Sequence, residues 1–114
     1  MISSDAVRAR LTAEAVAEAA HYAGEILFDP RLYAASPADI VAVLHTARVA
    51  KAGIVMIIGH NPGLEELIAQ LTDTQPDLPT AALAHIVLPI DRWRDLKLST
   101  RGTLVGLWRP KELR

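Results

Sequence analysis

An apolar run that ends in a glycine-histidine turn places the strongest constraint on the fold of this chain. The run is IVMII at residues 54–58, and GHNPG at residues 59–63 follows it and leads into the stretch LEELIAQL. Five consecutive apolar residues, most of them β-branched, predict a short strand that is buried on both faces, as in parallel sheets. A buried strand, a turn and a helix in this order predict an α/β fold.

The rest of the chain continues the alternation of helices and strands. Capping residues, helical periodicity and alanine content predict helices over residues 4–20, from Ser36-Pro37 onward, and over residues 62–71. Apolar runs predict further strands over residues 25–28, 82–88 and 103–108, with a helical turn at residues 91–96. The first helix places Val7, Leu11 and Ala15 on one face. This order predicts a three-layer α/β/α sandwich with a mostly parallel central sheet, and only MIS at residues 1–3 precedes its first helix.

Composition and charge narrow the class of protein. The 114 residues correspond to one domain, and 51% apolar with 22% charged residues is typical of a chain that folds around a single core. The net charge is -1 and no cluster of Lys or Arg occurs, so we expect neither a nucleic-acid partner nor a membrane surface. The absence of cysteine excludes disulfides, thiolate zinc sites and a cysteine nucleophile. Because the N-terminal MISSDAVRAR lacks an apolar signal core, we expect a cytoplasmic protein.

The GHNPG turn combines residue types that suit an anion-binding site. Gly59 lets the backbone bend, Asn61 is a good helix cap, and Pro62 is a preferred first helical residue. The turn lies at the carboxyl end of a sheet strand, where α/β folds bind ligands, and free N–H groups at a helix start favour phosphate. We therefore expect His60 to face a bound anion. The alternative is a well-formed turn whose histidine caps a backbone group.

A second candidate lies on the first predicted helix, in SDAVRARLTA at residues 4–13. Ser4, Arg8 and Thr12 are spaced four residues apart and share one helix stripe, so two hydroxyls and a guanidinium are expected to point the same way. Arginine holds a phosphate by two parallel hydrogen bonds, which makes Ser4 and Arg8 candidate phosphate-binding residues. The alternative is a solvated polar face.

Together these segments resemble the histidine phosphatase superfamily, and specifically its phosphohistidine phosphatase branch of the SixA type. That branch has an S-x-x-x-R-A-x-x-T-A helix, a G-H-N-P-G turn and a P-T-x-A-L-A strand start in this order, and all three are present, at residues 4–13, 59–63 and 79–84. The terminal LWRPKEL at residues 107–113 is also similar to the closing strand of the family and its proline-containing end. The resemblance covers nearly the whole chain and implies the phosphoglycerate mutase-like α/β/α fold.

The resemblance assigns roles to two residues and leaves a third role unfilled. Arg8 corresponds to a phosphate-binding arginine, and His60 to the second histidine of the catalytic pocket, a donor to the phosphoryl oxygens. In the family, the nucleophile is a histidine in an R-H motif at the end of the first strand, and the same motif supplies another phosphate-binding arginine. No histidine of this chain follows an arginine. We therefore interpret residues 1–114 as a single histidine phosphatase-like domain, N-terminally truncated and missing its first strand-helix unit, with Met1 a misassigned start or a truncation point.

The resemblance implies a phosphohistidine phosphatase, a hydrolase that removes phosphate from phosphorylated histidine of signalling or phosphocarrier proteins. Its chemistry needs no cofactor and no metal, and no two histidines of this chain lie within five positions of each other. Because the nucleophile is absent, we expect little or no phosphatase activity from residues 1–114 alone. Two alternatives remain open: a non-catalytic or regulatory remnant that binds a phosphorylated protein or a small phosphate ligand, and a homodimer that forms through an exposed sheet edge.

Overall fold

The computed structural model describes residues 1–109, apart from the surroundings of the Ala47 side chain. Three helices and five strands alternate in this range: β1 (Ile2–Ser3), α1 (Val7–Ala19), β2 (Leu27–Phe28), α2 (Pro37–Leu44), β3 (Ile57–Ile58), α3 (Gly63–Thr72), β4 (Leu83–Val87) and β5 (Thr103–Trp108). The order agrees with the predicted alternation, and β5 has the predicted bounds. The predicted turn at residues 91–96 is a short 3-10 helix, Trp93–Asp95. The proline-containing end of the chain, from residue 110 on, lies outside the described residues.

The strands form two separate sheets. β1, β2 and β3 make a parallel sheet of order β2-β1-β3, in which Ile2 is opposite Leu27 on one side and Ile57 on the other. This arrangement confirms the α/β fold and the parallel sheet, whose central strand is β1. β4 and β5 form an antiparallel pair with a bulge after His85. The three-layer arrangement of the sandwich stays a prediction.

The first helix packs through its small residues, contrary to the predicted apolar face. Ala9 and Ala13 are buried against Ile58, whereas Val7 is 71% exposed and Leu11 is 61% exposed. Alanine allows a helix backbone to approach a sheet closely, so the small stripe faces the strands and the larger apolar residues face away. The prediction that Val7, Leu11 and Ala15 form the packed face is therefore wrong.

The apolar run that leads into β3 is less buried than its sequence predicts. Only Ile57 and Ile58 pair as a strand, and Ile58 alone is fully buried, while Ile54 is 89% exposed. Among the described strands, β3 pairs with β1 only, so it is an edge of the parallel sheet. An edge strand has no neighbouring strand on one side, so its residues are more accessible than those of a strand with two partners, such as β1.

The main core lies where α2 and α3 pack near the central strand. Its buried residues include Ile2, Leu32, Ile40, Val43, Leu44, Leu67, Leu71 and Leu96. A capping box starts α2: the Ser36 N–H donates to Asp39 Oδ2 at 2.9 Å, and the Asp39 N–H donates to Ser36 Oγ at 3.2 Å.

Within residues 1–109, no helix is both long and apolar enough to cross a membrane.

Candidate functional site

The carboxyl edge of the parallel sheet brings together two of the residues that the sequence singles out. Ser4 directly follows β1, and His60 lies two residues after β3, the strand beside it. Parallel neighbours end at the same edge, and the Ser4 Oγ lies 2.9 Å from the His60 Nε2. Ser4 is fully buried at this position. Ser4 therefore belongs to the end of a strand rather than to the helix stripe that the spacing predicts.

Ser4 also connects this edge to the start of α1. Its Oγ accepts a hydrogen bond of 3.2 Å from the Ala6 N–H, and the neighbouring Ser3 Oγ donates to the Ser4 carbonyl at 2.8 Å. The helix itself begins at Val7, after Ala6, and has no side-chain cap at its first residue. The predicted helix start at residue 4 is wrong because Ser4 is part of the strand-to-helix turn.

The histidine turn is fixed by the side chain of Asn61. Its amide oxygen accepts from the Glu65 N–H at 3.3 Å, and its amide nitrogen donates to the Leu78 carbonyl at 2.7 Å. The Leu64 N–H donates to the His60 carbonyl at 3.2 Å. Two amides at the start of α3 are thus engaged within the protein, so an anion at this edge would depend on side-chain donors more than on the helix start that the sequence favours.

Gly63, and not Gly59, is the glycine on which this turn depends. A Cβ atom on Gly63 would run into the carbonyl oxygen of Ala35, whereas one on Gly59 would make an ordinary contact of 3.7 Å with the Leu64 side chain. The close approach predicted for Gly59 therefore occurs at Gly63, where the first residue of α3 packs on the loop before α2.

Tyr33 packs against His60 from the loop that follows β2. The two rings are 5.3 Å apart with an interplanar angle of 78°, an edge-to-face contact. The sequence does not identify Tyr33 as a candidate site residue, because an exposed aromatic residue in a loop has no periodicity. The only available signal is that the loop after a parallel strand reaches the carboxyl edge of the sheet.

The two arginines of the first helix have different surroundings. The Arg10 guanidinium lies 4.2 Å from the centre of the Phe28 ring, a cation–π contact at the end of β2. Arg8 is exposed in the first turn of α1, and its guanidinium has no hydrogen bond or ion pair with any described residue. The third member of the predicted stripe, Thr12, donates its hydroxyl to the Arg8 carbonyl at 3.0 Å and does not extend toward a ligand.

An ion pair follows β2 at the same edge. The Arg31 side chain donates to both carboxylate oxygens of Asp29, with a shortest distance of 2.7 Å. The hydrogen bond from Arg31 lowers the pKa of Asp29. Asp29 is therefore a paired carboxylate. Across residues 1–109, no three His, Cys, Asp or Glu side chains are grouped as metal ligands.

Comparisons with known proteins identify the fold by structure and not by sequence. No family model matches the chain, and no curated protein matches it. A solved structure from Nakamurella multipartitia, described as a candidate phosphohistidine phosphatase SixA, is similar with a TM-score of 0.81 at 20% sequence identity. The similarity covers 96% of this chain and 69% of that one.

A second solved structure, the protein histidine phosphatase SixA in complex with tungstate, is similar with a TM-score of 0.74 at 24% identity. The similarity covers 99% of this chain and 70% of the SixA chain. At such identities the similarity shows a shared fold and leaves the activity to be argued from the site. The α/β fold of this chain is therefore that of SixA-like histidine phosphatases.

Proposed function

We propose that this chain is a phosphoryl-binding domain of the phosphohistidine phosphatase type, with His60 and Arg8 as its donors to the phosphoryl oxygens. The observation that carries the proposal is the Ser4–His60 hydrogen bond at the carboxyl edge of the sheet. Arg8, four residues after Ser4 in the chain, has no described partner. The fold it shares with SixA proteins supports the same assignment. The ligand is then a phosphorylated protein side chain or a small phosphate.

The two donors suit the charge of a phosphoryl group. Arg8 can hold two oxygens by parallel hydrogen bonds, and the imidazole of His60 can donate to a third. Such donors stabilise the oxyanion charge that increases during phosphoryl transfer, and they require no metal for that purpose. The Arg8 side chain is exposed and has no hydrogen bond or ion pair with any described residue, so its positive charge stays available to an anion.

Turnover needs a nucleophile in addition to these donors. By the resemblance, a histidine after an arginine would attack phosphorus and water would then release phosphate, but no such pair occurs in residues 1–114. We therefore propose that these residues alone bind phosphate and hydrolyse a phosphohistidine peptide slowly or not at all. Hydrolysis by the 114-residue chain that disappears in His60→Ala would contradict this part of the proposal.

Calorimetric titration with inorganic phosphate and with tungstate tests the binding proposal. We expect saturable binding that weakens on the order of tenfold in Arg8→Ala and in His60→Ala, since each change removes a charge-assisted or polar donor. Arg94→Ala and His85→Ala are matched controls, because both residues are exposed and belong to elements outside the parallel sheet and the turns that follow its strands. The proposal would be contradicted if a control variant and the site variant that it matches weakened phosphate binding equally, or if the wild type did not bind.

We also propose that the unpaired edge of β3 can pair with a second copy of the chain. Among the described strands β3 has a single partner, and an open edge with apolar residues is a template for another strand. Size-exclusion chromatography with mass detection tests this proposal: we expect a concentration-dependent dimer. A monomer at all accessible concentrations would rule out the pairing.

A further inference from the structure

We infer that Ser4 is a positioning residue that fixes the proton of neutral His60 on Nδ1, so that Nδ1–H is the group offered to an oxyanion. The inference rests on the proposed function for its consequence, but not for its geometry. The Ser4–His60 distance of 2.9 Å is compatible with a proton on either atom. The surroundings of Ser4 decide between the two arrangements.

The hydroxyl of Ser4 has one proton, and that proton needs an acceptor. Ser4 has no exposed surface, so solvent does not accept the bond. The other hydrogen bond of its Oγ comes from the Ala6 N–H, which is a donor. The only described acceptor in reach is therefore the His60 Nε2. With the hydroxyl donating to Nε2, both groups are satisfied and the neutral ring carries its proton on Nδ1.

The opposite arrangement leaves a buried donor without a partner. If Nε2–H donated to Ser4 Oγ, the oxygen would accept two hydrogen bonds and the hydroxyl proton would have none. A buried donor without a partner loses its hydrogen bond to water and gains none in the protein, so the arrangement with the proton on Nδ1 is favoured. Tyr33 also limits the orientation of the imidazole, because its ring meets the imidazole edge-to-face and restricts rotation of the histidine side chain.

This assignment gives Ser4 a role different from direct contact with phosphate. The only proton of its hydroxyl is used by His60, and an oxygen without a free proton repels an anion rather than binding it. Ser4 therefore acts through His60, and Arg8 and the His60 Nδ1–H remain as the groups that touch the ligand. The Ser4 Oγ also accepts from Ala6 at the start of α1, which connects the orientation of His60 to the helix that carries Arg8.

His45 supplies an internal reference within the same chain. Its Nε2 lies 2.7 Å from the Leu96 carbonyl oxygen, which can only accept, so Nε2 of His45 must carry a proton. The two histidines are thus expected to show opposite tautomers under one set of conditions. This contrast does not depend on any ligand.

Two-bond proton–nitrogen correlation spectra of the histidine rings test the inference in the ligand-free wild type. They should be recorded at alkaline pH, where neutral rings are observed. We expect an Nδ1–H ring for His60 and an Nε2–H ring for His45. A protonated Nε2 on neutral His60 would overturn the inference, whatever the chain binds.

Two neighbouring serine variants separate positioning from general destabilisation. Ser3→Ala and Ser4→Ala each remove one fully buried hydroxyl from adjacent positions. We expect Ser4→Ala to give His60 a mixture of tautomers and to weaken tungstate binding on the order of tenfold, with Ser4→Thr restoring both. Ser3→Ala should leave the His60 tautomer unchanged. A His60 tautomer unaffected by Ser4→Ala would overturn the inference, whereas a wild type with the expected tautomer and no anion binding would overturn the proposed function alone.

Discussion

The parallel sheet and the β4–β5 pair are built from equally apolar residues but differ in how those residues are covered. The parallel sheet and its helices contain the main core, with Ile2, Ile40 and Leu96 almost fully buried. In β4 and β5 no residue is fully buried, although Leu83, Val87, Val105 and Trp108 are all large and apolar. An apolar sequence therefore predicts a strand in both regions, but burial depends on what packs against it.

Polar contacts hold the β4–β5 pair in place. The Asn61 side chain donates to the Leu78 carbonyl, and the Arg101 guanidinium donates to the Gln70 carbonyl at 2.8 Å. These bonds attach the segments before β4 and β5 to the two ends of α3. The stability of the domain should consequently depend much more on side chains of the core than on those of the pair.

Among substitutions by alanine, the largest effect is expected from truncating a core leucine. Leu96→Ala removes a side chain with no exposed surface and should lower the free energy of unfolding by about 2–5 kcal/mol, through lost burial and the cavity that remains. The matched variant Leu83→Ala, at a position 44% exposed in β4, should cost about 0.5 kcal/mol. Urea denaturation measures both. Equal losses would show that the pair is as well covered as the core.

The next effect concerns the two glycines of the histidine turn. Gly63→Ala places a methyl group against the Ala35 carbonyl and should lower the free energy of unfolding by about 1–3 kcal/mol. Gly59→Ala should change it by no more than about 0.5 kcal/mol, because its new contact is an ordinary one. Thermal unfolding of the two variants tests which glycine the turn depends on. A larger loss of stability for Gly59→Ala than for Gly63→Ala would show that it is Gly59.

A smaller effect is expected from charges on the exposed face of the β4–β5 pair. Val105→Lys changes a residue that is 52% exposed and should alter the free energy of unfolding by no more than about 0.5 kcal/mol. The same substitution at Val43, which is 1% exposed, should prevent folding because it buries an unpaired ammonium group. Far-UV circular dichroism with urea denaturation distinguishes the two. A Val105→Lys chain that fails to fold would show that this face is covered in the native protein.

The smallest effect is a dependence on pH at Asp29. Its pKa is lowered from 3.8 by Arg31, so the pair contributes stability above the unfolded value and loses it as the pH falls through the lower folded pKa. Asp29→Asn should cost less than about 1 kcal/mol at pH 7 and a smaller amount at about pH 3, because the difference that the lowered pKa makes shrinks below the unfolded value. Denaturation at both pH values tests this sign. An equal cost at both would show that the effect is not ionic.

Short-range sequence patterns predict which segments form helices and strands better than they predict what those helices and strands pack against. The alternation of helices and strands and the bounds of β5 follow from short-range patterns. The orientation of α1 does not, because the helix packs through Ala9 and Ala13 and leaves its larger residues exposed. Amphipathicity arguments assume that the largest apolar residues are covered, which requires a partner that one sequence does not specify.

Only part of the candidate site is predicted, because its long-range contacts are not encoded in short sequence patterns. His60 and Arg8 are identifiable from turn chemistry and residue type, and the sequence also selects Ser4, but on the wrong element. Its contact with His60 spans 56 positions and arises from the pairing of β1 with β3. The Tyr33 contact depends on a loop conformation that has no sequence period.

The central claim is that His60 offers a donor to an oxyanion at the carboxyl edge of the parallel sheet. Titration of the isotope-labelled wild type with tungstate, followed through the ring nitrogens of all four histidines, tests it most directly. We predict a saturable change at the His60 Nδ1 and none at His45, which bonds to a backbone carbonyl at a distance from the site. An unchanged His60 signal at saturating tungstate, or equal changes at all four rings, would contradict the account.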